Sequence, residues 1–206
     1  MDFGLRFRLG AMMFLQYAIW GAWAPVLWPY LTGELGMTDP QAALIFGLLP
    51  LACILAPFTG GQIADRWVPT QQFLGVAQLI GGGLLVAASK TEDFGGLMLL
   101  LALFSLVYAP TLALTNSLAF HHLKSEDQFS SVRLWGTIGW IAAGWALWGW
   151  RAFKLMPGTA DCLMLAGIAA LVMGAFCFFL PHTPPAKDAA ADPLAFRRAF
   201  VLLKNP

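Results

Sequence analysis

The amino-acid sequence predicts an all-α membrane protein, a bundle of six transmembrane helices. Three observations carry this expectation. The 206 residues are 59% hydrophobic and only 11% charged, where an ordinary soluble domain is about 25% charged. Mean hydropathy is +0.69. The few charges are bunched, and between them lie six apolar stretches, each near the roughly 20 residues that a helix needs to satisfy its own backbone across a bilayer.

The expected spans are 9–31, 41–63, 71–89, 95–121, 129–150 and 162–180. Arg6 and Arg8 precede the first span like the basic head of a signal peptide. The apolar run is too long for one, however, carries Trp20, Trp23 and Trp28, and ends in Pro29-Tyr30-Leu31 without a small-residue cleavage site. Glycine-bounded Glu34 and then Asp39-Pro40 separate it from the second span, which stops at Asp65-Arg66. The third stops at Lys90-Thr91-Glu92-Asp93 and the fourth at Lys124-Ser125-Glu126-Asp127. The fifth is interrupted only by Arg133, and the Pro157-Gly158 turn leads to the sixth. Residues 1–181 therefore make the bundle. Residues 182–206 read as a cytoplasmic linker, Pro- and Ala-rich at first. Asp192 as cap and Pro193 at the first position then start a short basic amphipathic helix that runs to about Lys204.

Orientation follows from the basic residues, which favour the cytoplasmic side. With the N-terminus inside, Arg6, Arg8, Arg66, Lys124, Arg133, Lys187, Arg197, Arg198 and Lys204 are cytoplasmic, and only Lys90, Arg151 and Lys154 lie outside. Both ends are then cytoplasmic. Net charge is +1, which gives no attraction to nucleic acid. Cys53, Cys162 and Cys177 lie in apolar runs without metal or redox spacing and read as packing residues.

Polar groups at membrane depth carry the functional signal, because burial there costs free energy. Arg133 stands out. Arg133, Thr137, Trp140 and Gly144 fall on one helix face, with Gly136 and Gly139 flanking it. A guanidinium fork, a hydroxyl and an indole plane suit a neutral ligand with hydroxyls and a flat ring. Gln16 and Trp20 share a face of the first span, and Gln78, Thr111, Thr115 and Asn116 add polar groups to the third and fourth. Gln16, Trp20 and Asn116 are weaker candidates for lining the same cavity, the plain alternative being hydrogen bonding between helices. All 11 acids lie in loops or at span ends, so no carboxylate faces Arg133 from within these spans. His121 and His122 sit at the cytoplasmic interface. No H-E-x-x-H, G-x-S-x-G or phosphate-binding glycine loop occurs, so an enzyme has no visible apparatus.

Gly61-Gln62-Ile63-Ala64-Asp65-Arg66 resembles the loop signature of the major facilitator superfamily, although Val68-Pro69-Thr70 stand where that signature continues with glycine and basic residues. Val132-Arg133-Leu134-Trp135-Gly136-Thr137-Ile138-Gly139 resembles the fifth helix of the bacterial nucleoside:proton symporter family. Leu15-Gln16 through Trp23, Ala64 through Trp67, Tyr108 through Asn116, and Leu180 through Pro184 are similar to that family in order and spacing. The resemblance implies the N-terminal half of a major facilitator fold, built from two inverted three-helix repeats, with a C-terminal six-helix half missing. It implies Arg133 and Thr137 as nucleoside contacts, and Gly61, Asp65 and Arg66 as a gating loop. It further implies a bacterial inner-membrane location and a proton, with no cofactor, as the coupling ion. Two other readings stay open: a carrier of another small polar solute such as a sugar or nucleobase, and a membrane scaffold or sensor that transports nothing.

Overall fold

A computed structural model describes residues 3–56, 68–123, 125–153 and 160–184. Six long helices cover most of them: α1 Phe3–Trp23, α2 Asp39–Leu55, α3 Thr70–Ala88, α4 Phe94–His122, α5 Glu126–Ala152 and α6 Asp161–Cys177. Among the described residues there is no strand.

Local chemistry sets several helix starts. At α2, the Gln41 side chain accepts from the Thr38 backbone N–H at 3.0 Å and Pro40 occupies the first turn, where its missing N–H costs nothing. At α4, Asp93 accepts from Gly96 N at 2.7 Å. Between α1 and α2 the chain tightens through a turn at Leu27–Pro29 and a π-helical turn at Tyr30–Glu34. Gly36, at φ 63°, adopts the left-handed backbone that follows them. Pro50 and Pro110 lie inside α2 and α4, a placement membrane helices tolerate because neighbouring groups take up the freed carbonyls.

The packing has an internal symmetry. α1 packs on α5 and α6, α4 packs on α2 and α3, α3 packs on α6, and α1 meets α4. Exchanging the first three helices with the last three returns these same principal pairings. Because each helix lies three places along from its counterpart, α1 and α4 run in opposite directions in an up-and-down bundle, the relation of an inverted repeat. No repeat is visible in the residues themselves, so the duplication is a property of the packing.

The interior is apolar, with Leu9, Met12, Ile19, Leu74, Leu97 and Leu118 fully buried. So is much of the outside: Leu51, Ile54, Ile80, Leu99, Ile141 and Trp145 are all exposed. An apolar exterior around an apolar core is what lipid selects. By length and composition α3 and α4 are sufficient to cross a membrane, and α2 and α6 are shorter apolar helices. Of the cysteines, Cys162 and Cys177 are buried in α6 while Cys53 is on the outer surface of α2.

Glycines set how closely the helices approach. On α3 and α6 a Cβ added to Gly82 would lie 2.9 Å from Gly167 O, and one on Gly167 would lie 3.1 Å from Gly82 O. Two turns away the approach is looser: a Cβ on Gly75 would meet the Phe178 ring at 3.0 Å first and Gly174 O at 3.3 Å. The two backbones therefore touch along an antiparallel seam. A second seam, between α1 and α5, frames the candidate site.

Candidate ligand site at the α1–α5 seam

At Gly139 an added Cβ would collide with the backbone carbonyl of Phe14, so α5 lies directly on α1 there. Gly21 also packs on the Trp140 backbone, a Cβ added there lying 2.9 Å from its Cα. This contact brings the Arg133 face of α5 beside the Tyr17–Trp20 edge of α1.

The Arg133 guanidinium carbon lies 3.9 Å from the centroid of the Tyr17 ring. Tyr17 contacts Trp20 at 6.4 Å between centroids, and Trp20 meets Trp140 edge-on at 5.1 Å and 82°. These four side chains are half-buried, and Thr137 beside them is exposed. A Cβ on Gly136 would sit 2.7 Å from both Arg133 Nη1 and Tyr17 Cδ2. The guanidinium thus extends toward the residue three positions further along α5, against the usual lean of helical side chains toward the N-terminus. Among the described residues Arg133 forms no ion pair. A guanidinium held over a ring and free of ion pairs among the described residues has N–H donors to offer a ligand.

The structure groups Arg133, Thr137, Trp140 and Trp20, and it places Gln16 and Asn116 apart from them. Gln16 is fully buried at the bundle centre. Its Nε2 donates to Thr111 Oγ1 at 2.9 Å, its Oε1 accepts from Gln78 Nε2 at 2.8 Å, and its backbone O accepts from Tyr108 OH at 2.8 Å. This is helix-to-helix bonding, in which a polar side chain finds partners inside the protein rather than at a cavity. Asn116 Nδ2 donates to Leu112 O at 3.0 Å, and its Oδ1 is buried without a partner among the described residues. Gly144 has open space around it, so it contributes no close packing to the Arg133 face. Gly61, Asp65 and Arg66 lie outside the described residues, as does the amphipathic helix expected after Asp192.

Two features escaped the sequence reading. Tyr17 is the aromatic ring over which Arg133 lies, and the signal was its i, i+3 spacing to Trp20. The other is a polar knot beyond α6. Thr183 N donates to Gln71 Oε1 at 3.0 Å, Thr70 N donates to Thr183 O at 3.1 Å, and His122 Nε2 lies 2.9 Å from Thr183 Oγ1. Gln71 Nε2 donates to His182 Nδ1 at 2.9 Å. The segment leaving α6 is thereby tied to the start of α3 and the end of α4. His121 is exposed, whereas His122 is half-buried in this knot.

The sequence model of the nucleoside H+ symporter family matches residues 3–206. The chain belongs to this family. Among curated relatives, the putative nucleoside transporter YegT of Escherichia coli K12 is 38% identical over 90% of this chain and 44% of its own length. Xanthosine permease of the same organism is 30% identical over 98% of this chain and 49% of its own. The crystal structure of nucleoside transporter NupG matches with TM-score 0.84 at 27% identity, covering 100% of this chain and 51% of that one. A peptide transporter structure at 17% identity and TM-score 0.70 shares the fold. The chain spans about half the length of the curated relatives it matches.

Proposed function

We propose that this chain is the N-terminal half of a nucleoside permease of the bacterial inner membrane, taking up nucleosides with protons by alternating access. The observation that carries the reading is an arginine that has no carboxylate partner among the described residues and lies over Tyr17, from which a run of rings continues through Trp20 to Trp140. The guanidinium and the Thr137 hydroxyl offer hydrogen bonds to ribose or base, and Trp140 offers an indole wall for stacking.

In this reading 1–181 form the membrane bundle, 182–206 begin the connection to a C-terminal six-helix half, and both ends are cytoplasmic. Gly61, Asp65 and Arg66 belong to the loop that helps hold the cytoplasmic side closed. The coupling acid and the remaining ligand contacts come from the other half, because substrate sites in this architecture lie between two halves that rock against each other.

Uptake of labelled uridine by cells expressing the complete gene tests the assignment. Saturable, proton-dependent uptake is expected. Its absence for every nucleoside, with the protein present in the membrane, removes the reading. Arg133→Lys separates ligand binding from anchoring: a snorkelling anchor tolerates lysine, whereas a planar fork does not. Orientation is checked by labelling. Glu92→Cys is expected to react from outside and Asp188→Cys not to.

A further inference from the structure

We infer that Tyr17 is the positioning residue for Arg133, with Gly136 as the space that admits the pair; the inference rests on the reading of Arg133 as a ligand contact. An arginine at this depth has two ordinary resting places. It can extend back to the headgroups near the start of α5, or it can bind a carboxylate. Neither occurs here. Arg133 reaches the other way, toward Gly136, and among the described residues no ion pair claims it.

What holds it is the Tyr17 ring, 3.9 Å below the guanidinium carbon. A ring face attracts a cation through its quadrupole, and the attraction strengthens where water is scarce. A carboxylate would hold the cation too, but by occupying the N–H edge that a neutral ligand needs. A ring attracts the cation without consuming its N–H donors as a carboxylate does. Gly136 completes the arrangement, because a methyl group there would occupy space 2.7 Å from both partners. Tyr17 is itself held against Trp20, which abuts Trp140. The guanidinium is thereby registered to the indole wall through one continuous set of rings that spans α1 and α5.

The face of the ring is the working part and the phenol oxygen is not. Tyr17→Phe therefore retains function and Tyr17→Leu loses it. The test uses the complete permease in proteoliposomes, with labelled uridine uptake measured against concentration and protein amount per vesicle quantified. Tyr17→Leu is expected to raise KM about tenfold, between the scale of an exposed and of a fully desolvated cation–π contact as suits this half-buried pair, while Tyr17→Phe stays within about twofold of the parent. If Tyr17→Leu does not reach the membrane, Tyr17→Met fills similar space without a ring and carries the same expectation. A fall in maximal rate with KM unchanged, or equal KM values for the Phe and Leu (or Met) variants, overturns the inference. Arg133→Ala is measured alongside: if it leaves uptake intact, the ligand role of Arg133 fails first. If it abolishes uptake while the ringless variant matches Tyr17→Phe, only the role of Tyr17 fails.

Discussion

The bundle has two glycine-lined seams that use the same residue differently. Between α3 and α6, glycines stand opposite one another and the backbones touch, with Gly82 facing Gly167 O and Gly75 facing Gly174 O. Between α1 and α5, Gly139 again admits a backbone, but Gly136 admits a stacked arginine and tyrosine. The outer edge of that second seam is apolar: Phe14, Leu15, Ala18, Ala142 and Ala146 border a groove of about 250 Å³. A small residue at helix spacing thus means either that two helices close on each other or that a side chain has been given room. Only the partner helix decides which.

The largest effect that would sharpen this contrast is at Gly139. Gly139→Ala is expected to remove most of the folded protein, because the obstacle is the rigid Phe14 carbonyl and overpacking costs about 1–3 kcal/mol even where side chains can move. Detergent-solubilised yield and thermal melting read it directly. Gly82→Ala belongs in the same class, whereas Gly75→Ala is expected to be mild. Its first obstacle is the far end of Phe178, which is 54% exposed and free to swing. Equal melting temperatures for the Gly82 and Gly75 variants would break the account of the α3–α6 seam.

Next in size is Gln78→Leu, which takes from Gln16 Oε1 its donor at 2.8 Å. Interhelical hydrogen bonds in membranes are worth about 0.6–2 kcal/mol, so a fall of a few degrees in melting temperature is expected, with no change in KM. A change in KM alone would move Gln16 from the packing of the bundle to the ligand.

This division of polar residues was only half legible in the sequence. Hydropathy and the spacing of charges suffice for a six-helix bundle, since lipid imposes length and apolarity on every span. The face bearing Arg133, Thr137 and Trp140 was legible too, as helical geometry places those residues together whatever surrounds them. Gln16 was grouped with Trp20 by the same i, i+4 rule, yet a stripe of that width straddles two environments. Gln16 turns to the centre while Trp20 stays at the seam. Tyr17 went unread because its importance comes from a residue 116 positions away across a helix contact.

Smaller effects are expected at the bundle ends. His122 titrates below its ordinary value of 6.5, first because it is partly buried and then because His121 is beside it. The unfolded chain therefore takes up a proton that the folded chain resists. The resulting contribution to stability is present above the ordinary value and is lost as pH falls through it. Melting temperature should fall on acidification less in His122→Gln than in the parent. Least of all is Asp161→Asn, which breaks the pair with Arg151 at 2.9 Å. Arg151 is 46% exposed, so screening keeps the change below about 1 kcal/mol.

The interior bonds of Gln16 also impose an order in time. This glutamine belongs to the first helix made, but its partners Gln78 and Thr111 lie 62 and 95 residues further along the chain. The helices that cover the rest of α1 are the fifth and sixth. During synthesis α1 must therefore wait in the bilayer with an unsatisfied amide, held by the insertion machinery or by transient neighbours, until α3 and α4 arrive. A chain interrupted before α3 would leave that amide facing hydrocarbon, a ready mark by which quality control could tell an unfinished bundle from a closed one.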